Sequence, residues 1–280
     1  MSVLLNAFKG TNKRVPVWFM RQAGRYLPQY RALKARRALN DMFRDPDTAA
    51  EITLQPIDIL GVDAAIIFAD ILTLPAAMGF KIDYIDGRGP VVDNPITGPE
   101  DIERIHDFDN LDHVAQTIKK VNSRLSPDIP LIGFAGAPYT VLTYLCPRTT
   151  RLIFAHEQSF HAVMEKLTDN TIACLRLQKK CGIKVFQLFD TWGGSLRSGD
   201  YRAFVLPYVQ RIFKEVDLPS IYYLKNCAHL FPLMPKSGAD FVSVCETVHL
   251  NEIKTARGIQ GNLFNGLLYA DDRILIKETR

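Results

Sequence analysis

The sequence lacks the features that assign a chain to a membrane, secreted or nucleic-acid-binding class. No stretch comes near the ~18 consecutive apolar residues of a membrane-spanning helix, and the apolar run in MSVLLNAFKG is too short for a secretory signal. The five cysteines form no CxxC pair, which is typical of free thiols in a reducing compartment. The 34 basic and 30 acidic residues give a net charge of +4 and form no sustained basic run. We therefore expect a cytoplasmic protein that binds neither membranes nor nucleic acid.

Low-complexity linkers, breaks in composition and short internal repeats are also missing, so we expect one domain over residues 1–280. Apolar strand-like runs alternate with amphipathic helices, a pattern typical of a parallel sheet covered on its faces. Six or seven such units predict an α/β fold of the (β/α)8 TIM-barrel type. No GxGxxG follows the first run, which argues against a doubly wound dinucleotide-binding sheet. Residues 1–14 are expected to precede the barrel, and its last strand-helix unit is expected to be missing.

The predicted elements follow from apolar runs and from helix start and stop signals. Predicted strands cover residues 15–20, 64–68, 130–134, 184–189, 221–224, 241–244 and 258–263. Predicted helices start at Asp45–Asp47, Leu111, Asp200 and Asp271, and a long one ends near Gly182. A small hairpin is expected around Asp86–Gly87.

Polar side chains at the ends of the predicted strands form the candidate site, because barrel enzymes place their functional groups there. Arg21, Gln22 and Arg25 follow the first run, and arginine captures carboxylates or phosphates by bidentate hydrogen bonds. Gly24 allows a sharp turn or a close approach of the backbone to a ligand. Asp70 follows the second run, where a carboxylate needs several donors.

Each of these residues also has a purely structural interpretation. The arginines could pair with surface carboxylates, and Asp70 could cap a helix or pair with a neighbouring arginine. Tyr144, after the third strand, could be a core residue. Thr191, after the fourth strand, could be a cap.

Four segments resemble the uroporphyrinogen decarboxylase family. The stretch Met20–Arg31, MRQAGRYLPQYR, resembles its N-terminal signature. Three more lie in register with the predicted barrel: Ala65–Ile71, which carries Asp70; Gly133–Thr140, followed by Tyr144; and Phe189–Gly194, which carries Thr191. The resemblance covers roughly the whole chain and is strongest over residues 15–210.

The resemblance implies a dimeric barrel enzyme that uses no metal or organic cofactor. Its reaction would convert the four acetate side chains of uroporphyrinogen III to methyl groups, giving coproporphyrinogen III in haem biosynthesis. Asp70 and Arg21 would be catalytic. The residues implied to bind substrate are Arg21, Gln22, Ala23, Gly24, Arg25, Phe68, Asp70, Tyr144 and Thr191.

Towards the C-terminus the sequence departs from the family pattern, so two alternatives remain open. The departures are Lys225–His229, Cys245–Thr247, Gly261–Asn265 and the lack of the family's Asn-Leu-Gly-His-Gly motif. One alternative is a truncated homologue that binds porphyrinogens without turnover. The other is a zinc-dependent, corrinoid-linked methyltransferase of the same superfamily, with Cys227, His229 and Cys245 as candidate ligands.

Overall fold

A computed structural model describes residues 2–85, 87–250 and 257–279 and is built around a parallel sheet. The strands are β1 (Ala65–Ile66), β2 (Ile82–Ile85), β3 (Gly89–Val92), β4 (Leu131–Gly136), β5 (Val185–Asp190), β6 (Ser220–Leu224), β7 (Phe241–Ser243) and β8 (Gly258–Gln260). Strands β2 and β3 form a separate antiparallel hairpin, and the other six pair in the order β1-β4-β5-β6-β7-β8. All pairs in this sheet are parallel, with Ile66 opposite Ile132 and Phe189 opposite Tyr223, for example. Sequential order in a parallel sheet is the arrangement of a (β/α)8 barrel, and the predicted α/β fold class is confirmed.

Twelve α-helices are found within the described residues, and most of them pack on the outside of this sheet. They are α1 (Val3–Phe8), α2 (Pro28–Lys34), α3 (Leu39–Arg44), α4 (Pro46–Leu60), α5 (Thr73–Ala77), α6 (Asp112–Asn122), α7 (Pro138–Leu145), α8 (Thr149–Ala155), α9 (Glu157–Cys181), α10 (Ser198–Phe204), α11 (Leu206–Glu215) and α12 (Asp272–Thr279). The described residues contain no helix that is both long and apolar enough to cross a membrane.

Local chemistry explains where the predicted helices begin and end. At the start of α4 the Asp45 side chain accepts the Asp47 N–H, and at its end Gly61 adopts φ 63°. Helix α9 ends at Gly182, with φ 112°. The helix expected from Asp200 is in fact two, α10 and α11, which break at Val205. Pro207 lies in the first turn of α11, and a proline has no N–H to donate to the carbonyl four residues earlier, so one continuous helix cannot form.

The chain has apolar packing on both faces of the sheet. The larger core lies between the sheet and the outer helices. The smaller one fills the inside of the curved sheet, where Ile66, Ile132, Val185 and Ile221 from four strands meet Leu4 of α1. The ring of Phe8 stacks on that of Phe241 with centroids 4.2 Å apart. Helix α1 therefore closes the interior from the end opposite the strand carboxyl ends.

The prediction of a buried first strand over residues 15–20 is wrong. This segment forms no strand, and Val15, Val17 and Phe19 are exposed. It lies beside the start of β1 through Asp63, whose N–H donates to the Val17 carbonyl at 2.8 Å while its carboxylate accepts the Val17 N–H at 2.7 Å. Such a contact at a single residue orients the segment without making a ladder.

The remaining predicted strands are confirmed to within a few residues, although β1 is shorter than expected. The predicted hairpin is present as β2 and β3, but Asp86 lies outside the described residues. The last predicted helix is present as α12, and Arg280 likewise lies outside them.

Candidate active site

Asp70 lies at the carboxyl end of β1, in the loop that leads to α5. Its Oδ1 accepts the Leu72 N–H at 2.8 Å, and its own N–H donates to Thr73 Oγ1 at 3.2 Å. The hydroxyl of Tyr84, on β2, also donates to the carboxyl group. Burial raises the pKa of Asp70, and the hydrogen bonds from Leu72 and Tyr84 and the charge of Arg21 offset part of that rise. The result is a carboxyl group held by several donors yet not completely enclosed.

Arg21 is an exposed arginine that lies over the ends of the strands. Its positive charge acts on Asp70, after β1, and on the hydroxyl of Tyr223, on β6. These two residues come from strands separated by β4 and β5 in the sheet order, so the sheet curves and brings its carboxyl ends around a common mouth. Within the described residues Arg21 makes no ion pair, which leaves its guanidinium able to bind an anion.

Three aromatic rings from adjacent strands line the mouth. The ring centroids of Phe134 on β4 and Phe189 on β5 are 5.4 Å apart, and those of Phe189 and Tyr223 are 5.8 Å apart. All three side chains are half-buried. Because aromatic rings pack edge-to-face or offset, this row can support a partly apolar ligand that contains aromatic rings.

Tyr144 and Thr191 lie on the side of the mouth formed by α7 and the loop after β5. The Tyr144 ring is half-buried and meets the exposed Trp192 ring edge-on, with centroids 6.4 Å apart. Tyr144 also acts electrostatically on Tyr84, which places it near the tyrosine that contacts Asp70. Thr191 is half-buried and makes no hydrogen bond through its side chain within the described part of the chain.

A buried carboxyl group, Asp190, fixes the loop that carries Thr191. Asp190 is fully enclosed and accepts hydrogen bonds from Thr140 Oγ1 and the Tyr222 hydroxyl, both at 2.6 Å, and from the Gly193 N–H at 3.2 Å. Burial raises the pKa of Asp190, and these donors offset part of that rise. Thr140 Oγ1 also accepts the Trp192 N–H at 3.0 Å. The group therefore holds the loop in place and does not face the mouth.

Four of the remaining predicted residues lie in the loop after residue 20. The side chain of Gln22 is buried and used internally: Nε2 donates to the Ala64 carbonyl at 3.0 Å, and Oε1 accepts the Phe19 N–H at 3.2 Å. Ala23 packs in a small apolar cluster with Leu27. Arg25 is exposed.

Gly24 does not need to be glycine for the sake of the chain's own packing. A Cβ placed on it would lie 3.7 Å from the Arg21 carbonyl oxygen, an ordinary contact, and its φ is not in the left-handed region. The sharp turn expected at this residue is therefore not a reason for glycine here. Close approach of a ligand remains a prediction.

Phe68 joins the loop of Asp70 to the segment before α4. Its ring lies 4.9 Å from that of Phe43 and 5.9 Å from that of Tyr30, measured between centroids. Its N–H donates to Thr53 Oγ1 at 2.9 Å.

Sequence reasoning missed Tyr84 and Tyr223 as members of the site. Tyr223 follows Tyr222 in β6, and alternation along a strand sends neighbouring side chains to opposite faces, so one of the two had to face the interior. Tyr84 gave no such signal, because its contact with Asp70 depends on how the hairpin folds back over the mouth.

Only two of the three residues suggested as zinc ligands come together. Cys227 and Cys245 are buried with their sulfur atoms 3.9 Å apart. The exposed His229 instead makes a hydrogen bond of 2.8 Å from Nε2 to the Leu196 carbonyl. Over the described ranges, no group of three histidine, cysteine or acidic side chains is arranged to hold a metal ion. This geometry does not fit the zinc site of the methyltransferase alternative.

Comparisons with solved structures identify the fold. A methyltransferase from Methanosarcina mazei matches with a TM-score of 0.80, covering 93% of this chain and 81% of that one at 19% identity. A B12-independent methionine synthase from Shewanella sp. matches with a TM-score of 0.55 at 11% identity, covering 77% of this chain and 69% of that one. At these identities the likeness concerns the fold alone.

Comparisons with sequences are more specific. A protein named uroporphyrinogen decarboxylase from Trichlorobacter lovleyi is 36% identical over 95% of this chain and 83% of its own length. Proteins of the same name from Christiangramia forsetii and Desulfotalea psychrophila are 38% and 39% identical, covering 96% and 89% of this chain and 84% and 78% of their own lengths. The family profile described as "Uroporphyrinogen decarboxylase (URO-D)" matches residues 1–280. The chain therefore belongs to the uroporphyrinogen decarboxylase family.

Proposed function

We propose that the chain removes the carboxyl groups from the four acetate side chains of uroporphyrinogen III, giving coproporphyrinogen III without a metal or an organic cofactor. The observation that carries the proposal is the combination of Asp70 and Arg21 at the mouth of the sheet. A carboxyl group there is held by Leu72 and Tyr84, beside a guanidinium that makes no ion pair within the described part of the chain. The name shared by the curated relatives supports the same reaction.

The substrate's shape and charge suit this mouth. Its eight carboxylates would bind Arg21 and Arg25, and one close arginine–carboxylate pair contributes about 4 kcal/mol at an effective dielectric constant of 20, before desolvation is counted. The pyrrole N–H groups point to the centre of the macrocycle, where the acceptor oxygens of Asp70 would receive them. The rings of Phe134, Phe189 and Tyr223 would support the macrocycle. Tyr144 and Thr191 would contact its other edge.

Decarboxylation needs somewhere for an electron pair to go. A proton added to the pyrrole carbon next to the acetate arm makes the ring cationic, so the pair released when the C–C bond breaks can flow into the ring as CO2 leaves. The methylene carbon left behind then takes up a proton, and the ring carbon gives its proton back. The net change for each arm is one proton taken up and one CO2 released.

In this scheme Asp70 stabilises the cationic ring. A negative charge fixed in place before the reaction lowers the free energy of a developing positive charge more than mobile water would. Arg21 keeps its own proton, because a guanidinium is too weak an acid to give it up. Arg21 instead holds a water molecule that relays the first proton from bulk solvent to the ring carbon.

The direct test is anaerobic incubation of the purified chain with uroporphyrinogen III, followed by chromatography of the oxidised products. Stepwise appearance of seven-, six-, five- and four-carboxylate porphyrins is the expected result. A folded protein that gives no product would contradict the proposed reaction. If it still binds coproporphyrin, that would favour the alternative of a porphyrinogen-binding homologue without turnover.

The family resemblance also leads us to propose a homodimer. Sedimentation-velocity analysis should give twice the 31.6 kDa of one chain, and a single species of monomer mass at micromolar concentration would contradict it.

A further inference from the structure

A second cavity lies behind the loop of Asp70, between helices α3, α5 and α6 and the β2–β3 hairpin. Its volume is about 350 Å³, at the small end of the range for small-molecule sites. Arg21, Gln22, Tyr144 and Thr191 are not among its lining residues. The cavity therefore adjoins the mouth at Tyr84 but is lined by a different set of residues.

The cavity lining includes two nitrogen-bearing side chains, Arg44 and His113, that can donate to an anion. Arg44, the last residue of α3, is exposed and makes no ion pair with any described residue. His113, in the first turn of α6, is half-buried, and its ring has no hydrogen-bond partner in the described ranges. Burial and, secondarily, the charge of Arg44 lower the pKa of His113. Its imidazole is therefore neutral near pH 7 and has one N–H to donate.

The rest of the lining is mostly apolar. The ring of Phe43 and the side chains of Leu72, Ala76 and Ile82 form the walls. The lining also has two asparagines, and both already make hydrogen bonds within the protein. Asn110 Oδ1 accepts the Asp112 N–H at 2.6 Å, and Asn40 Nδ2 donates to Asp83 at 3.4 Å. A ligand that binds Arg44 and His113 and also packs on the apolar walls has an anionic group attached to an apolar body.

The cavity and Asp70 share residues of the same loop. Leu72 and Tyr84 line the cavity, and both donate hydrogen bonds to the Asp70 carboxyl group. Thr73, which also lines it, accepts the Asp70 N–H. A molecule bound in the cavity would contact the three residues that hold Asp70.

We propose that this cavity is a second binding site that takes a carboxylate carried on an apolar body, with Arg44 and His113 as its anion donors. The carboxylate could belong to a separate small carboxylic acid or to one arm of a tetrapyrrole bound at the mouth. The second source rests on the proposed function, whereas the first does not.

Calorimetric titration of the full chain with benzoate tests the site itself. Saturable binding is expected, and Arg44→Met should weaken it at least about tenfold, because the charge-assisted hydrogen bonds to the carboxylate are lost. The matched control is Arg36→Met, which removes an exposed arginine of the same chain region that does not line the cavity. Unchanged benzoate affinity should follow in that control.

Competition with coproporphyrin distinguishes the two sources. Displacement of benzoate, together with weaker coproporphyrin binding in Arg44→Met, would identify the carboxylate as a tetrapyrrole arm. Independent binding of both would identify a separate acid. If Arg44→Met leaves the affinities for benzoate and coproporphyrin at their wild-type values, the proposal is wrong. These are binding measurements, so a chain that fails to turn over uroporphyrinogen could still bear the proposal out.

Discussion

At the scale of single residues, the candidate site could be predicted where a charged residue directly follows an apolar run. Asp70 follows a buried run, where a carboxyl group is costly, and Arg21 follows an apolar run, where a core would not hold it. The structure places both at one mouth. Tyr84 could not be predicted, because a tyrosine is an ordinary residue in a half-exposed hairpin and gives no sign of a functional role. Gln22 was also predicted at the site, and its side-chain amide makes hydrogen bonds to the backbone of Phe19 and Ala64.

Gly24→Ala tests whether glycine is needed here to leave space for a ligand, as opposed to space for the protein's own packing. Because a Cβ there meets only ordinary contacts, we expect the free energy of unfolding in urea to change by less than about 0.5 kcal/mol. If the substrate lies against this backbone, KM should rise. Gly199→Ala, at a residue with open space around it, is the control. Unchanged KM in Gly24→Ala would remove Gly24 from the proposed binding residues.

Asp190→Ala should destabilise the protein severely. It would leave the Tyr222 and Thr140 hydroxyls and the Gly193 N–H buried without their acceptor. We expect the free energy of unfolding to fall by about 3 kcal/mol or more. Asp58→Ala, at an exposed residue of α4, should change it by less than about 0.5 kcal/mol. Equal effects of the two substitutions would contradict the assignment of Asp190 as a structural centre.

At the scale of elements, helices and interior strands could be predicted because local signals and burial agree. Asp45 and Gly61 mark the ends of α4, and the apolar run of β6 is buried as expected. The segment 15–20 has the same apolar composition as a buried strand, yet its backbone is hydrogen-bonded to Asp63 without forming a ladder, and Trp18 packs against the inner core. Composition indicates which residues can form a strand. Whether a neighbour pairs with them is a tertiary property that the run itself does not carry.

Asp63→Asn should loosen that segment in a pH-dependent way. Hydrogen bonds from Arg14 hold the pKa of Asp63 below its ordinary value of 3.8. The stabilisation is therefore present above that value and is lost as the pH falls through the folded pKa. We expect Asp63→Asn to lower the free energy of unfolding at pH 7 and the difference from wild type to shrink as the pH falls below 3.8. A difference that stays constant over this range would contradict the account.

At the scale of the whole molecule, the sheet has apolar packing on both faces. Helix α1 is part of the core inside the curved sheet. Residues 1–14 were expected to precede the barrel, and the structure adds that Leu4 and Phe8 pack inside the end of the sheet. An isolated short helix carries no sequence signal for where it docks. The parallel sheet itself could be predicted, because alternating strands and helices leave few other topologies.

Leu4→Ala tests how much α1 contributes. Leu4 is 3% exposed within the inner core, so its truncation should lower the free energy of unfolding by about 3 kcal/mol. Leu268→Ala removes the same atoms from a side chain that is 65% exposed, and it should change stability by less than about 0.5 kcal/mol. Denaturant unfolding of the two variants gives the comparison. Similar small effects would show that α1 does not close the core.

The measurement that tests the central claim most directly is the anaerobic turnover of uroporphyrinogen III by Asp70→Asn. Asparagine can still accept the Leu72 N–H, so circular dichroism should show the fold retained, while the negative charge that stabilises the cationic ring is lost. We expect kcat to fall at least ~100-fold, the scale of one charged hydrogen bond of about 2–3 kcal/mol, and Asp58→Asn to leave it unchanged. Turnover by Asp70→Asn near the wild-type rate would contradict the role assigned to Asp70.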